Sequence, residues 1–248
     1  MSVINITLNG STGKMGMAFT DAVIKRKIQE LEIKHKTGSN TKLADLITYC
    51  KGSDILVDFS VPESIYNIIN AAKTTGIKLF IGTTGLSTEQ LNDLKNVAKT
   101  NSVLFAPNAS IGANLLAKIA TTVAIANEES DVEIIDTHHR YKKDAPSGMS
   151  LMIGQSIANA RNLDFKKNAI FQRTKNQTRQ NNEIGFSSVR AGGIFGDCQV
   201  IFADDDEVIS LEYRALSRDA FSKGAIIAAK WLYKMPPGFY TMQDVIGI

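Results

Sequence analysis

From Asp136 to Gly148 the chain reads Asp-Thr-His-His-Arg-Tyr-Lys-Lys-Asp-Ala-Pro-Ser-Gly, gathering His138 and His139, two of its three histidines, with Arg140, Lys142 and Lys143. Histidine exchanges a proton near neutral pH. Lysine supplies a point charge suited to a carboxylate. A helix that Ser147 or Asp144 could cap follows Pro146, and its N-terminus offers free N–H groups and a positive dipole end to an anion. Together these residues suit an anion-binding catalytic loop. The plainer alternatives are a solvated basic loop or a histidine pair on a metal. Metal is disfavoured, because no Cys or further His lies nearby and adjacent strand residues point to opposite faces. No metal site is expected.

A second group is Gly10-Ser11-Thr12-Gly13-Lys14-Met15-Gly16, which follows the first apolar run and opens a helical one. Glycines there permit a tight turn and close backbone approach to a pyrophosphate held on the helix N-terminus. The spacing is G-x-x-G-x-x-G rather than G-x-G-x-x-G, and an ordinary strand–helix turn, with Met15 as core, is the alternative. Gly82-Thr83-Thr84-Gly85 and Ala106-Pro107-Asn108 end two later apolar runs. They offer small residues and backbone groups to a flat ring, or are plain loops. The same choice stands for Asp58-Phe59-Ser60. His35 is a lone histidine, structural or at a cofactor's rim, and Trp231 is expected in the core. Cys50 and Cys198 are far apart, without metal-ligand spacing. Inert packing thiols in a reducing cytoplasm are expected.

These residues need a scaffold, and the apolar periodicity supplies one. Val3-Leu8, Leu31-His35, Ile55-Phe59, Ile77-Ile81 and Val103-Ala106 have the pattern of buried strands. Lys14-Gln29, Thr41-Cys50, Pro62-Thr75 and Ser87-Lys99 have that of helices, with Pro62 and Ser87 as starts. This alternation predicts an α/β fold with a parallel, doubly wound sheet and ligands at the strands' carboxyl ends. After Asn108 the rhythm changes. A long apolar helix spans Ala109-Ala126, a strand spans Val132-Thr137, and a helix spans Ser147-Ala160. The polar stretch Arg173-Glu183 precedes three strand-like runs, Gly185-Arg190, Gln199-Phe202 and Val208-Arg214, and a last helix spans Phe221-Tyr233. Neighbouring strands without helices between them suggest an open, antiparallel sheet whose bare apolar face needs a partner. At 248 residues one or two domains are expected, and a net charge of +3 is too small to argue for nucleic acid or a membrane surface. The first residues lack the basic region of a secretory signal.

NGSTGKMG, DFSVPES, IGTTGLS, APNASIGANLL, HHRYKKDAPSG and VRAGGIFGD fall in the order and spacing of the dihydrodipicolinate reductase family, which the whole chain resembles. The resemblance implies a Rossmann-like dinucleotide-binding domain over 1–108, completed by 219–248. It also implies an α+β substrate and oligomerisation domain over 109–218, with an open mixed sheet that builds a homotetramer. The implied reaction is NADPH- or NADH-dependent reduction of a small cyclic dicarboxylate, 4-hydroxy-tetrahydrodipicolinate, in cytoplasmic lysine and diaminopimelate synthesis. His138 and Lys142 would be the catalytic pair, and His139, Ser147, Gly148 and Met149 would line the substrate carboxylates. Gly10, Ser11, Thr12, Gly13, Lys14, Met15, Gly82, Thr83, Thr84, Ala106, Pro107, Asn108 and Ala109 would line the cofactor. The chain departs from the family at Met149, where threonine is usual, at Cys198, where many relatives carry histidine, and in the glycine-poor loop Arg173-Glu183. Cofactor choice rests on the end of the second strand, where an NAD-preferring fold generally places a carboxylate. Glu32 sits too early, and Lys34, His35 and Lys36 cluster instead. NADPH is therefore expected over NADH, with Lys36 as a contact. Two other readings stand beside this one. A different nicotinamide dehydrogenase of amino or oxo acids would not require His138, His139 and Lys142 together. A non-enzymatic dinucleotide sensor would lose the acid.

Overall fold

The structure, a computed structural model, describes residues 3–247; Met1, Ser2 and Ile248, at the outer ends of the expected spans 1–108 and 219–248, lie outside the described residues. The chain forms two compact units, one from the residues up to Ile111 together with those from Arg218 on, the other from Gly112–Ser217.

The first unit alternates β1 (Ile4–Asn9), α1 (Lys14–Lys25), β2 (Leu31–Thr37), α2 (Leu43–Lys51), β3 (Ile55–Asp58), α3 (Ile65–Thr75), β4 (Lys78–Ile81), α4 (Thr88–Val97) and β5 (Ser102–Phe105). After the second unit it resumes with α8 (Asp219–Tyr233), β11 (Gly238–Tyr240) and α9 (Met242–Ile246). Six strands pair in the order β11-β5-β4-β3-β1-β2, every pair parallel. Both sheet faces are covered. Ile4, Ile6, Leu8, Phe19 and Ala229 pack in one core, while Leu56, Ile68, Leu79, Leu94 and Val103 pack in the other. Strands buried on two sides must be apolar throughout, hence continuous runs rather than alternation. Local chemistry fixes the ends. Ser87 accepts from the Gln90 N–H at 3.1 Å, and the Gln90 side chain accepts from the Ser87 N–H at 2.8 Å, a reciprocal cap for α4. The helix expected to reach Gln29 stops at Lys25, because Lys27 adopts φ 50° and the Ile28 N–H turns back to the Val23 carbonyl at 3.1 Å. A lysine in the left-handed region carries no sequence signal.

The second unit contains α5 (Ile111–Ala126, its first residue shared with the border), β6 (Asp131–His138), α6 (Gly148–Ala160), α7 (Phe165–Asn168), β7 (Ala169–Ile170), β8 (Ile184–Arg190), β9 (Gly196–Ala203) and β10 (Val208–Ala215). The mixed sheet that the family resemblance implied is present, and the antiparallel sheet read from the strand-like runs alone is corrected. The sheet is mixed, in the order β10-β9-β6-β8-β7, because β6 inserts between β8 and β9: β6 runs parallel to β8 and antiparallel to β9. Helices cover one face of this sheet. Leu116, Ala120, Ile153 and Ile157 of α5 and α6 pack on Val132, Ile134, Val200 and Phe202 of one face. Among the described residues no helix is long and apolar enough to cross a membrane.

Candidate active site

In the parallel sheet the chain leaves β1 for β2 on one side and returns to β3 on the other, so the carboxyl ends of β1 and β3 form the crevice where such folds bind ligand. The glycine loop sits there. Gly10 has φ +74°, and a Cβ on it would overlap the Phe59 carbonyl; one on Gly16 would overlap the Gly10 carbonyl. Gly13 precedes α1 with no side-chain cap, leaving the first N–H groups of that helix open. A cleft of about 300 Å³ opens here, and Gly10, Thr12 and Gly13 line it with Gly38, Ser39, Thr41 and Ser60. Ser11 is turned into the scaffold, its N–H and hydroxyl both donating to the Thr37 carbonyl, at 3.2 and 3.1 Å. Lys14 is exposed and Met15 half-buried, neither in the lining.

Beneath the cleft lies a buried carboxylate that sequence reasoning quoted without a role. Asp58 accepts from the Asn9 amide at 2.8 Å and from the hydroxyls of Ser60 at 2.5 Å and Thr83 at 2.7 Å. Burial pushes its pKa up, against those hydrogen bonds. Thr83 also accepts from the Ser60 N–H at 2.9 Å, so its hydroxyl faces inward. Thr84 is exposed, and Gly82 is close enough to the Phe59 ring that a Cβ would overlap it. Ala106 is buried and bonded to the Ile81 carbonyl at 2.8 Å, while Pro107 is exposed. Asn108 accepts from the Ser110 N–H at 2.9 Å, and Ala109 is buried with its carbonyl against Gly224.

The basic cluster on β2 divides. Lys34 donates to the Gly52 carbonyl at 3.2 Å, at the C-terminal end of α2, and His35 stacks on Tyr49 with ring centroids 4.5 Å apart. Lys36 is exposed and absent from the cleft lining. The turn beyond it, Gly38 to Thr41, was not singled out from sequence, and it presents hydroxyls and no carboxylate.

In the second unit, Asp136 and His138 share one face of β6, two residues apart. Asp136 is 1% exposed, and it accepts from Arg190 of β8 at 2.9 Å and from the Ser147 N–H at 2.6 Å. Burial pushes this carboxyl up, but Arg190 and the hydrogen bonds from Ser188 and Ser147 outweigh it and hold the pKa low. Ser147 caps α6 by accepting from the Ser150 N–H at 3.3 Å. Asp144 caps nothing. Its two oxygens hold the Lys142 ammonium at 2.8 Å each. His138 Nδ1 lies 3.7 Å from Asp136 and is buried without a hydrogen-bond partner among the described residues. Burial, then the nearby Lys142, push the His138 pKa down, and Asp136 opposes them. His139 Nδ1 accepts from the Tyr141 N–H at 3.2 Å, so the neutral ring carries its proton on Nε2. Gly148 is exposed at the first turn of α6, and the Met149 side chain packs against the core. Cys198 is buried, its Sγ 3.7 Å from the Ser150 hydroxyl. Burial pushes the Cys198 thiol up to about 11 and that of Cys50 to about 12, both far from reactive. Among the described residues no group of three or more His, Cys, Asp and Glu could hold a metal.

Comparison with known proteins covers both units. Family models described as dihydrodipicolinate reductase, N-terminus and C-terminus, match residues 4–109 and 112–246. The chain is 42% identical over 246 residues to a 4-hydroxy-tetrahydrodipicolinate reductase of Rickettsia canadensis (strain McKiel), covering 99% of this chain and 100% of that one. It is 36% identical over 267 residues to the enzyme so named from Nitrosomonas europaea, covering all of both. The fold matches a dipicolinate-bound dihydrodipicolinate reductase from Paenisporosarcina sp. TG-14, with TM-score 0.78 and 23% identity over 98% of this chain and 99% of that one. Enzymes of this family use NAD(P)H. The chain thus belongs to the dihydrodipicolinate reductase family and reduces 4-hydroxy-tetrahydrodipicolinate in lysine and diaminopimelate synthesis.

Proposed function

We propose that His138 is the proton donor and Lys142 the carboxylate-binding cation of this reduction, with NADPH preferred as reductant and a homotetramer as the working form in the cytoplasm. The observation that carries the assignment is that Lys142, Asp144, Arg190, Asp136 and His138 form one connected group of charges, in which burial and then Lys142 push His138 toward its neutral form. Two carboxylates arriving beside Lys142 offset that push, so the ring takes up a proton as substrate binds. Lys142 meanwhile exchanges Asp144 for a substrate carboxylate. His139 donates from Nε2, and the uncommitted N–H groups of Gly148 and Met149 lie at the start of α6, where an anion is favoured. Met149 contributes backbone alone, because its thioether is committed to packing. The nicotinamide supplies the hydride, and the electron pair left on the substrate ring takes the proton from His138.

The cofactor fits the cleft of the first unit by its open helix N-terminus and its close-packed glycines. Gly10, Ser11, Thr12, Gly13, Lys14 and Met15 would surround the pyrophosphate. Gly82, Thr83, Thr84 and Ala106 to Ala109 would offer backbone groups to the nicotinamide. His138→Gln and Lys142→Ala should each cut kcat/KM by about 10²–10³-fold, roughly 2.7–4 kcal/mol of transition-state stabilisation. Dinucleotide affinity, followed by fluorescence titration, should stay near that of the wild type. Wild-type turnover in both variants would remove the loop from the mechanism.

A further inference from the structure

We infer that Asp136 is the positioning residue of His138, fixing which ring nitrogen delivers the proton and supporting the charged form of the ring. This rests on the assignment of His138 as the proton donor. Asp136 cannot turn away from the histidine, since Arg190 grips it from β8 at 2.9 and 3.3 Å and the Ser147 N–H holds it at 2.6 Å. The nitrogen nearest to it, Nδ1, is buried 3.7 Å away and has no other partner among the described residues. At 3.7 Å the two are not hydrogen-bonded, but the field of an ionised carboxylate, which can only accept, favours the neutral ring with its proton on Nδ1. Nε2 is then the atom that picks up and releases the catalytic proton. That atom packs against Gly196, where a Cβ would stand 3.0 Å from Nε2 and crowd it.

The charged groups facing His138 are Lys142 and Asp144 of the loop, Arg190 of β8 and Asp136 of its own strand. Lys142 and Arg190 disfavour the imidazolium, and the two carboxylates favour it. Asp136 is also bonded to the start of α6, so one carboxylate sets both the acid and the mouth of the anion-binding helix.

Two measurements test the inference. In 15N spectra of the histidine-labelled wild-type enzyme, with His138→Gln assigning the signal, neutral His138 should be protonated on Nδ1. A proton on Nε2 overturns the proposal without any variant. The second is the pH dependence of kcat/KM, where activity needs protonated His138 and is lost as pH rises through its pKa. Asp136→Asn should move that limb to lower pH by about one pH unit or more. It should also lower kcat more than it raises KM. Asp136→Glu, which keeps the charge, should hold the limb near its wild-type position. Activity reduced equally at every pH in Asp136→Asn, with the limb unmoved, means a purely structural role and overturns the proposal. A limb that persists in His138→Gln instead removes the assignment of His138 itself, and with it this inference.

Discussion

At the level of single residues, cofactor choice rests on few charges. Lys34 and Lys36 are both exposed near the end of β2, but Lys34 is bonded to the Gly52 carbonyl and His35 stacks on Tyr49, which makes Lys36 the candidate selector. The hydroxyl-bearing turn from Gly38 to Thr41 has no carboxylate to repel a 2′-phosphate. Lys36→Glu should therefore shift the ratio of catalytic efficiencies from NADPH toward NADH by about tenfold, equivalent to 1.4 kcal/mol. An unchanged ratio removes Lys36 as the selector. The loop proposed as catalytic could be singled out in sequence because His138, His139 and Lys142 lie within five consecutive residues, and chemistry concentrated in so short a span stands out. Arg190 was not legible. Its partnership with Asp136 depends on β8 lying parallel beside β6, with His138 opposite Arg190, a register set by distant pairing. The period of a strand did hold a signal for Asp136, since it places residues 136 and 138 on one face.

The elements of the first unit are held together by contacts that leave little room. Gly224 of α8 packs so closely on the Ala109 carbonyl that a Cβ would overlap it. Gly224→Ala should cost about 1–3 kcal/mol in chemical denaturation, and a neutral result would contradict this packing. Asp58 makes a different test. Burial lifts its folded-state pKa above the unfolded value, so its contribution is most favourable in acid and fades as pH rises through the folded value. Asp58→Asn keeps the shape and can still bond Asn9, Ser60 and Thr83, so at neutral pH its Tm should match or exceed the wild type. That advantage should shrink as pH falls, whereas Asp58→Ala should lose stability throughout. A loss in Asp58→Asn as large as in Asp58→Ala would show that the charge itself is needed. Of the six strands of the first unit, β1, β3, β4 and β5 were legible because two-sided burial makes each largely apolar, and β2, at the sheet edge, showed instead as an alternation of buried and exposed residues. β11 was not: its three residues follow Pro236-Pro237 and become a strand only by pairing with β5. The mixed order of the second sheet was equally hidden, because the chain order of β8, β9 and β10 says nothing of β6 entering between them.

For the whole molecule, one face of the mixed sheet packs under α5 and α6, while the other carries Ile135, Ile201, Val189 and Val208, the last two 44% and 62% exposed. A sheet face of this kind is stabilised by a partner, and four copies of the 27.0 kDa chain are expected by light scattering at micromolar concentration. A monomer there would refute the tetramer. The central claim is the reaction. Its most direct test follows the reduced-nicotinamide absorbance with freshly generated 4-hydroxy-tetrahydrodipicolinate, the product of a coupled synthase, against simple 2-oxo acids. Absorbance should fall with the cyclic dicarboxylate and hold steady with the 2-oxo acids. No turnover of the cyclic substrate, or comparable turnover of the 2-oxo acids, would contradict the account.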